Sequence, residues 1–201
     1  HQGGFYRFSY DITELLNLGK KNQLEVKVAK ESANRSINAA ERKADWWLFG
    51  GIYRPVWLEV LPQIHMKHFV LSADHKGKFQ ASIDMEGDAK GHEIVVSVRS
   101  LKDGKTVYTS NGQTTITHPI NNSGKEQMIS GEWTNIVPWS TEAPNLYVVK
   151  LELKNPEGKI VQTRETRIGF RTVEFFPQDG VYLNGTKLVI KGINRHSFSV
   201  D

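Results

Sequence analysis

The chain has 201 residues, of which 38% are hydrophobic and 24% charged, the composition of an ordinary globular protein with ample length for a core. No apolar run approaches the ~18–20 residues of a membrane-spanning helix, so the sequence predicts no membrane segment. The net charge of +4 is spread along the chain, which argues against a nucleic-acid partner, and the absence of cysteine excludes disulfides and thiolate metal sites. The first residues, His1 to Phe5, do not resemble a signal peptide, so cytoplasmic and periplasmic locations both stay open.

The first 61 residues carry three segments in which apolar and polar side chains alternate. That pattern predicts strands at Phe5–Tyr10, Gln23–Val28 and Ile52–Leu61. Between the first two, Asp11 is placed to cap one helical turn. Residues 30–44 show no periodicity and predict a loop, and loops of that length are more often functional than idle.

Pro62 marks a boundary, after which short alternating segments follow one another at even spacing, separated by turn residues. About seven short strands in ~100 residues without a helical segment are typical of an immunoglobulin-like β-sandwich. The predicted strands are Ile64–Ser72, Lys78–Met85, Glu93–Leu101, Thr106–Thr109, Thr114–Thr117, Gln127–Trp133, Leu146–Leu153 and Lys159–Ile168.

The last part of the chain predicts a hairpin followed by a strand of a different kind. Asn184-Gly185 lies between two apolar runs, at the spacing of a two-residue turn whose central residues need positive φ. The second run, Leu188–Ile190, is continuously apolar, which favours a strand buried on both faces, as in a parallel barrel. Such a strand needs parallel neighbours and crossover helices, so we expect the chain to be part of a longer protein.

Four segments carry motifs that are more specific together than any one of them alone. In chain order they are Asp45–Leu58 (DWWLFGGIYRPVWL), Pro138–Tyr147 (PWSTEAPNLY), Glu165–Arg171 (ETRIGFR) and Lys191–His196 (KGINRH). Each resembles a segment of glycoside hydrolase family 2, which includes bacterial β-galactosidases and β-glucuronidases, and they follow the family's order. The resemblance extends from Asp45 almost to the end of the chain.

This resemblance implies an all-β fold in three parts. Residues 1–61 would be the C-terminal part of a sugar-binding jelly roll, and residues 62–170 an immunoglobulin-like β-sandwich. Residues 171–201 would be the linker and first strand of a truncated catalytic (β/α)8 barrel.

The resemblance also implies a retaining exo-β-glycosidase, β-galactosidase-like, that removes terminal β-linked sugars by double displacement. Such enzymes use two glutamates about 5–5.5 Å apart on the barrel, and the family's pair lies well downstream of the Asn-Arg-His motif. We therefore expect no catalytic residue in this chain and no activity from it alone. Two alternatives stay open, namely a non-catalytic carbohydrate-binding or scaffold module and β-glucuronidase specificity.

Asp45 and His196 are the strongest candidates for sugar contacts. Asp45 matches the family's aspartate that reaches into the sugar pocket, and a carboxylate can accept hydrogen bonds from two sugar hydroxyls. In some β-galactosidases this aspartate also helps to bind sodium, so Asp45 is a candidate Na⁺ ligand. His196 matches the family's histidine at the pocket floor, an auxiliary stabiliser of the transition state. From the residues alone, a cap or turn role for Asp45 and a structural role for His196 stay open.

Asn194 and Arg195 complete the predicted substrate-binding set, either by orienting the loop or by contacting sugar. Arg195 favours the β-galactosidase pattern over the lysine common in β-glucuronidases, whereas Ser197 departs from the glutamate that many relatives have. We expect no cofactor for the chemistry, although Na⁺ or Mg²⁺ in the intact enzyme and a homo-oligomeric parent protein stay open.

Overall fold

The computed structural model describes residues 1–43, 50–121 and 125–194. The chain divides into two units, one of His1–Leu58 with Ile193–Asp201 and the other of Glu59–Gly192. In chain order the elements are α1 (Arg35–Arg42), β1 (His65–Ala73), β2 (Lys78–Glu86), β3 (Glu93–Ser100), β4 (Tyr108–Thr109), β5 (Thr115–Pro119), β6 (Glu126–Thr134), β7 (Tyr147–Lys154), β8 (Ile160–Ile168), β9 (Val173–Phe176), β10 (Gly180–Leu183) and β11 (Thr186–Leu188).

The second unit contains a β-sandwich of two four-stranded antiparallel sheets. One sheet has the order β1-β2-β6-β4 and the other β5-β3-β7-β8. The eight predicted strands of this region are confirmed, each within two residues of its predicted ends. The immunoglobulin-like sandwich is therefore confirmed, and so is the all-β fold class.

Alternation along the strands explains why this region folds as a sandwich. Successive side chains of a strand point to opposite faces, so every second residue can enter the space between the two sheets. On β7, Val149, Leu151 and Leu153 are fully buried, whereas Lys150 and Glu152 between them lie on the outer face. Phe79 and Trp133, both buried, meet edge to face at 6.4 Å in the same core.

Gln162 joins the two sheets where their edge strands β1 and β8 approach. Its Oε1 accepts from the backbone N–H of Met66 at 2.7 Å, and its Nε2 donates to the Met66 carbonyl at 3.4 Å. The β1–β2 register shifts between Met66 and His68, as at a β-bulge, and the Gln162 amide bonds the Met66 peptide groups there. Gln162 is 8% exposed and Met66 0%, so water cannot replace these bonds.

The first unit differs from what the sequence predicts. The segments 5–10, 23–28 and 52–61 form no strands, and side chains on them are exposed, with Tyr10 at 64%, Val26 at 52% and Trp57 at 57%. The strand predictions there are wrong because an alternating sequence does not by itself provide a neighbouring strand. Without a neighbouring strand, the backbone N–H and C=O groups of an extended segment have no partners in a sheet. The jelly-roll assignment of residues 1–61 stays a prediction.

The predicted loop over residues 30–44 is also wrong, since α1 lies within it. Asn34 is the N-cap, and its Oδ1 accepts from the backbone N–H groups of Ser36 at 3.0 Å and Ile37 at 3.3 Å. The two alanines, glutamate and arginine that end α1 are strong helix formers. The sequence signal for this helix is its N-cap asparagine, which a search for apolar periodicity does not detect. The helical turn after Asp11 is confirmed as a 3-10 helix at Thr13–Leu15, but its N-cap is Ile12 rather than Asp11. Asp11 lies one residue earlier, and its Oδ1 accepts from the Thr13 N–H at 2.9 Å.

We predict that Gln162→Met destabilises the second unit by about 1–3 kcal/mol, because it leaves the buried peptide groups of Met66 without partners. Urea unfolding of residues 59–192 measures the change. Gln80→Met, at an exposed position on β2, is the matched control and should change the free energy of unfolding by less than about 0.5 kcal/mol. Equal effects of the two substitutions would contradict this role for Gln162.

We also predict that residues 59–192 alone unfold in one cooperative transition, whereas residues 1–58 alone do not fold. Only the second unit has a cluster of buried apolar side chains; none of the described residues among 1–58 is buried. Far-UV circular dichroism with a thermal scan of the two separate polypeptides tests this. A cooperative melt of residues 1–58 would refute it.

Candidate functional site

Most of the predicted sugar-contacting residues lie outside the part of the chain that the structure describes. Asp45 falls in the gap between residues 43 and 50, and Arg195 and His196 follow the last described residue. Asn194 is described, is exposed, and belongs to the same unit as residues 1–58. These four assignments therefore stay predictions.

The hairpin that precedes them is confirmed. β10 and β11 pair antiparallel, with Leu183 opposite Thr186 and Val181 opposite Leu188. Asn184 and Gly185 form the two-residue turn, with φ of 52° and 79°. Positive φ at both positions is the type I′ geometry, which matches the twist of the paired strands.

A third strand, β9, completes a small sheet in the order β11-β10-β9. On this sheet Lys187 and Tyr182 both donate to Asp179, at 2.5 and 2.6 Å, which lowers the pKa of that carboxyl below its usual value. The sequence did not predict β9, because its four residues show no clear alternation. Leu188 ends β11, and Val189 and Ile190 beyond it are 75% and 70% exposed. The predicted burial of this run is not met among the described residues, and the barrel strand stays a prediction.

Asn184 ties the hairpin to the sandwich. Its Oδ1 accepts from the Thr172 N–H at 2.9 Å, and its own backbone N–H donates to the Thr172 carbonyl at 2.8 Å. Its Nδ2 donates to the Trp139 carbonyl at 2.9 Å. We call Trp139, Gly169–Thr172 and Asn184 the joint, since these residues connect the end of β8 to the hairpin.

Close packing accompanies the polar contacts of the joint. The Trp139 N–H donates to the Phe170 carbonyl at 2.9 Å, and the Arg171 guanidinium lies 4.8 Å from the centre of the Trp139 ring. A Cβ added at Gly169 would lie 2.7 Å from Trp139 Cβ and 2.9 Å from its Cγ. Glycine is therefore required at this position by space alone. Two of the four sequence motifs, PWSTEAPNLY and ETRIGFR, meet here.

The first of these motifs ends in Tyr147, which forms a tyrosine corner. Its hydroxyl accepts from the Val137 N–H at 2.7 Å and donates to the Val137 carbonyl at 3.3 Å. The ring is buried and meets Phe170 edge to face at 5.1 Å. This arrangement at the start of a central sandwich strand is characteristic of immunoglobulin-like domains.

Three glutamates of the second unit are paired with cations on its surface. Glu59 contacts Arg164 at 2.7 Å, Glu165 contacts Arg99 at 3.6 Å, and Glu152 contacts Lys150. Partly exposed ion pairs of this kind are typical of a solvated sheet face. They do not resemble a carboxylate held for general acid–base catalysis.

The described ranges 1–43, 50–121 and 125–194 contain no group of three or more His, Asp or Glu side chains that could hold a metal ion. Sodium binding by Asp45 stays a prediction, because that residue lies in one of the gaps. No described helix has the length and apolar character to span a membrane.

The family model of glycosyl hydrolases family 2 matches residues 63–171, more than half of the chain. The chain belongs to this family. It is 30% identical to a β-galactosidase of Thermoanaerobacter pseudethanolicus, over 98% of this chain and 26% of that protein. It is 31% identical to a β-galactosidase of Lactobacillus delbrueckii subsp. bulgaricus, over 98% of this chain and 18% of that protein.

Among solved structures, a β-glucuronidase of Parabacteroides merdae is similar with a TM-score of 0.60 and 26% identity, over 77% of this chain and 19% of that chain. The chain thus spans about a quarter or less of the length of these family members. The family assignment from the four sequence motifs is confirmed. Sequence reasoning missed the part played by Asn184, which it treated only as a turn residue.

We predict that Gly169→Ala destabilises residues 59–192 by about 1–3 kcal/mol, because the added methyl group overlaps the Trp139 side chain. Urea unfolding measures the difference. Gly192→Ala is the matched control, since no heavy atom lies within 4 Å of a Cβ added there, and it should be close to neutral. A neutral Gly169→Ala variant would show that Trp139 can move aside.

Proposed function

We propose that the full-length protein is a retaining exo-β-glycosidase, β-galactosidase-like, and that this chain is a non-catalytic portion of it. The observation that carries the proposal is membership of glycosyl hydrolases family 2, with relatives named as β-galactosidases over 98% of this chain. The substrate class is a terminal β-linked sugar. Hydrolysis would proceed by double displacement at two glutamates of a (β/α)8 barrel outside this chain.

In this proposal the chain supplies contacts to the sugar rather than the reacting groups. Asp45 accepts hydrogen bonds from sugar hydroxyls, each charged bond worth about 1.5–3 kcal/mol. His196 donates or accepts a bond that tightens in the transition state, so it raises turnover rather than binding alone. Asn194 and Arg195 orient the loop or contact sugar directly. Asp45 would be a ligand of Na⁺ if the ion binds, with its charge and oxygen atoms suited to a hard cation.

The division of the chain into two units supports placing Asp45 and the segment from Asn194 to His196 in one site. The described residues on both sides of Asp45 and the residue just before Arg195 belong to the same unit. That unit has exposed aromatic and aliphatic side chains on each of its three alternating segments. Such surfaces are normally covered in a folded protein, which is consistent with further elements of the full-length enzyme packing on them.

β-Glucuronidase specificity is the second candidate. It is favoured by the solved structures, where β-glucuronidases of Parabacteroides merdae and Bacteroides uniformis have TM-scores of 0.60 and 0.58 at 26% identity. Arg195 favours the galactosidase alternative from the sequence. Parallel assays of the full-length protein on aryl β-galactosides and aryl β-glucuronides decide between the two.

We predict that the full-length protein hydrolyses an aryl β-galactoside, and that Asp45→Asn and His196→Ala each lower kcat/KM about tenfold or more, because each removes a transition-state contact. Steady-state kinetics with both aryl substrates measures the effect. Asp88→Asn, at an exposed turn of the sandwich, is the matched control and should leave kcat/KM unchanged. Unchanged kinetics in both site variants would remove these residues from the site.

For the isolated chain of residues 1–201 we expect no hydrolysis and no galactose binding, since the barrel would form the floor and walls of the pocket. Titration calorimetry with galactose tests this. Binding at millimolar affinity or tighter would instead support a carbohydrate-binding module.

A further inference from the structure

We propose that Asn111 is a site of spontaneous covalent modification, at which the backbone nitrogen of Gly112 attacks the side-chain amide, and that the joint protects Asn184 from the same reaction. The sequence contains two Asn-Gly pairs, Asn111-Gly112 and Asn184-Gly185. Glycine has no Cβ, so the nitrogen that follows each asparagine is open to reaction. The two pairs share this chemistry and differ in how the fold holds each side chain.

The reaction needs no reagent beyond water. The glycine nitrogen forms a bond to the asparagine Cγ, and the amide nitrogen leaves as ammonia with the proton that the glycine nitrogen gives up. A cyclic imide, the succinimide, remains in the chain. Water then adds to either ring carbonyl and opens the ring, which gives aspartate or isoaspartate. Ring closure requires Cγ to swing toward the next backbone nitrogen, so contacts that hold the amide elsewhere slow the reaction.

Asn111 and Gly112 are both exposed, in the turn that joins β4 to β5. The Asn111 Oδ1 accepts from the Thr109 hydroxyl at 2.5 Å, and its Nδ2 makes a long contact of 3.5 Å to the Gln113 Oε1. Each partner is two residues away, so these contacts move with the turn. A hydroxyl that donates to Oδ1 also stabilises the negative charge that develops there when the nitrogen attacks Cγ.

The attacking nitrogen is bonded within the same turn. The Gly112 N–H donates to the Thr109 carbonyl at 2.9 Å. Because Gly112 is exposed, water can take the place of this bond when the turn opens. Local opening at an exposed turn costs much less free energy than unfolding of the core, so the reactive geometry is accessible from the folded state.

Asn184 is held by segments that are distant in sequence. Its Oδ1 accepts from the Thr172 N–H and its Nδ2 donates to the Trp139 carbonyl, 12 and 45 residues away and both at 2.9 Å. Turning Cγ toward the Gly185 nitrogen breaks both bonds, and the Thr172 N–H cannot follow the side chain as the Thr109 hydroxyl can. The loss of two ordinary hydrogen bonds corresponds to about tenfold or more in rate.

Isoaspartate would alter the turn at Asn111, because it places an extra methylene group in the main chain. The Thr109 N–H donates to the Gln113 carbonyl at 2.8 Å across this turn. The strands on either side, β4 and β5, are edge strands of the two sheets. The modification therefore lengthens the shortest connection between these two edges, and we expect it to accumulate as the protein ages.

The test is incubation of the full-length protein in mildly alkaline buffer at physiological temperature, followed by mass spectrometry of tryptic peptides. Cleavage after lysine and arginine separates the two sites into the peptides 106–125 and 172–187. Fragmentation that distinguishes aspartate from isoaspartate gives a rate of conversion at each site. A parallel incubation in guanidinium chloride is the matched comparison, because unfolding removes the contacts of both sites. Asn111→Gln, at an exposed position, is the control that identifies the signal of this site, since peptide 106–125 also contains Asn121 and Asn122.

In the folded protein we expect Asn111 to convert about tenfold or more faster than Asn184, and in guanidinium chloride we expect the two rates to agree within about twofold. Asn111→Gln should remove the signal at position 111 and leave the rate at Asn184 unchanged.

Three outcomes overturn the proposal. Equal rates in the folded protein, or faster conversion of Asn184, overturn the protection by the joint. An Asn111 that stays unmodified in the folded protein but converts in guanidinium chloride is not a site in the native state. A rate difference that persists in guanidinium chloride has its cause in the neighbouring residues rather than in the fold. The reaction is independent of glycosidase activity, so failure of the proposed function leaves these measurements unaffected.

Discussion

The fold of residues 59–192 depends on burying every second side chain between two antiparallel sheets. A strand presents alternate residues to opposite faces, so one alternating sequence supplies both an apolar interior and a charged exterior. Val149, Leu151 and Leu153 take the interior positions of β7, and Lys150 and Glu152 between them form an ion pair on the outer face. Once this core is formed, the edge strands and strand ends of the two sheets are held in place, and loops and the hairpin can form hydrogen bonds to them.

Three polar side chains make those attachments, and they do so in the same way. Gln162, Tyr147 and Asn184 each bond both a backbone N–H and a backbone carbonyl at a place where strand pairing ends or shifts. A buried peptide group without a partner is costly, so a side chain with a donor and an acceptor can replace a missing strand neighbour. The positions of these residues mark where the sheets stop being regular.

Local patterns account for the features that the sequence predicted well. The sandwich strands were recognised because short segments of alternating apolar and polar residues follow one another at even spacing, separated by turn residues. The Asn184-Gly185 hairpin was recognised because its turn geometry depends on two adjacent residues. The family resemblance depends on short motifs, and two of them, at Trp139 and at Gly169, meet in the joint. Signals of this kind involve residues close together in the chain, so they can be recognised from one sequence alone.

Non-local requirements account for the rest. The segments 5–10, 23–28 and 52–61 have strand-like patterns, yet a pattern does not state which neighbour will accept the hydrogen bonds. The helix α1 was missed because its signal was a cap and propensity rather than an apolar stripe. The role of Asn184 depends on Trp139, 45 residues away in sequence, and no spacing rule connects them. The predicted sugar contacts at Asp45 and His196 lie outside the described residues and stay predictions.

The similarity of one scaffold to both β-galactosidases and β-glucuronidases has a physical cause. The residues matched by the family model include the sandwich strands, whose side chains pack between two sheets, and most of the joint. A sandwich core that tolerates exchange of apolar side chains of similar volume can diverge to 26–31% identity while keeping its shape. A galactoside and a glucuronide differ in the orientation of the 4-hydroxyl and in having a hydroxymethyl group or a carboxylate at C6, local differences that a few side chains of a pocket can recognise. Scaffold similarity therefore follows the family, whereas the choice of sugar is a property of the pocket, for which Arg195 stays a predicted residue.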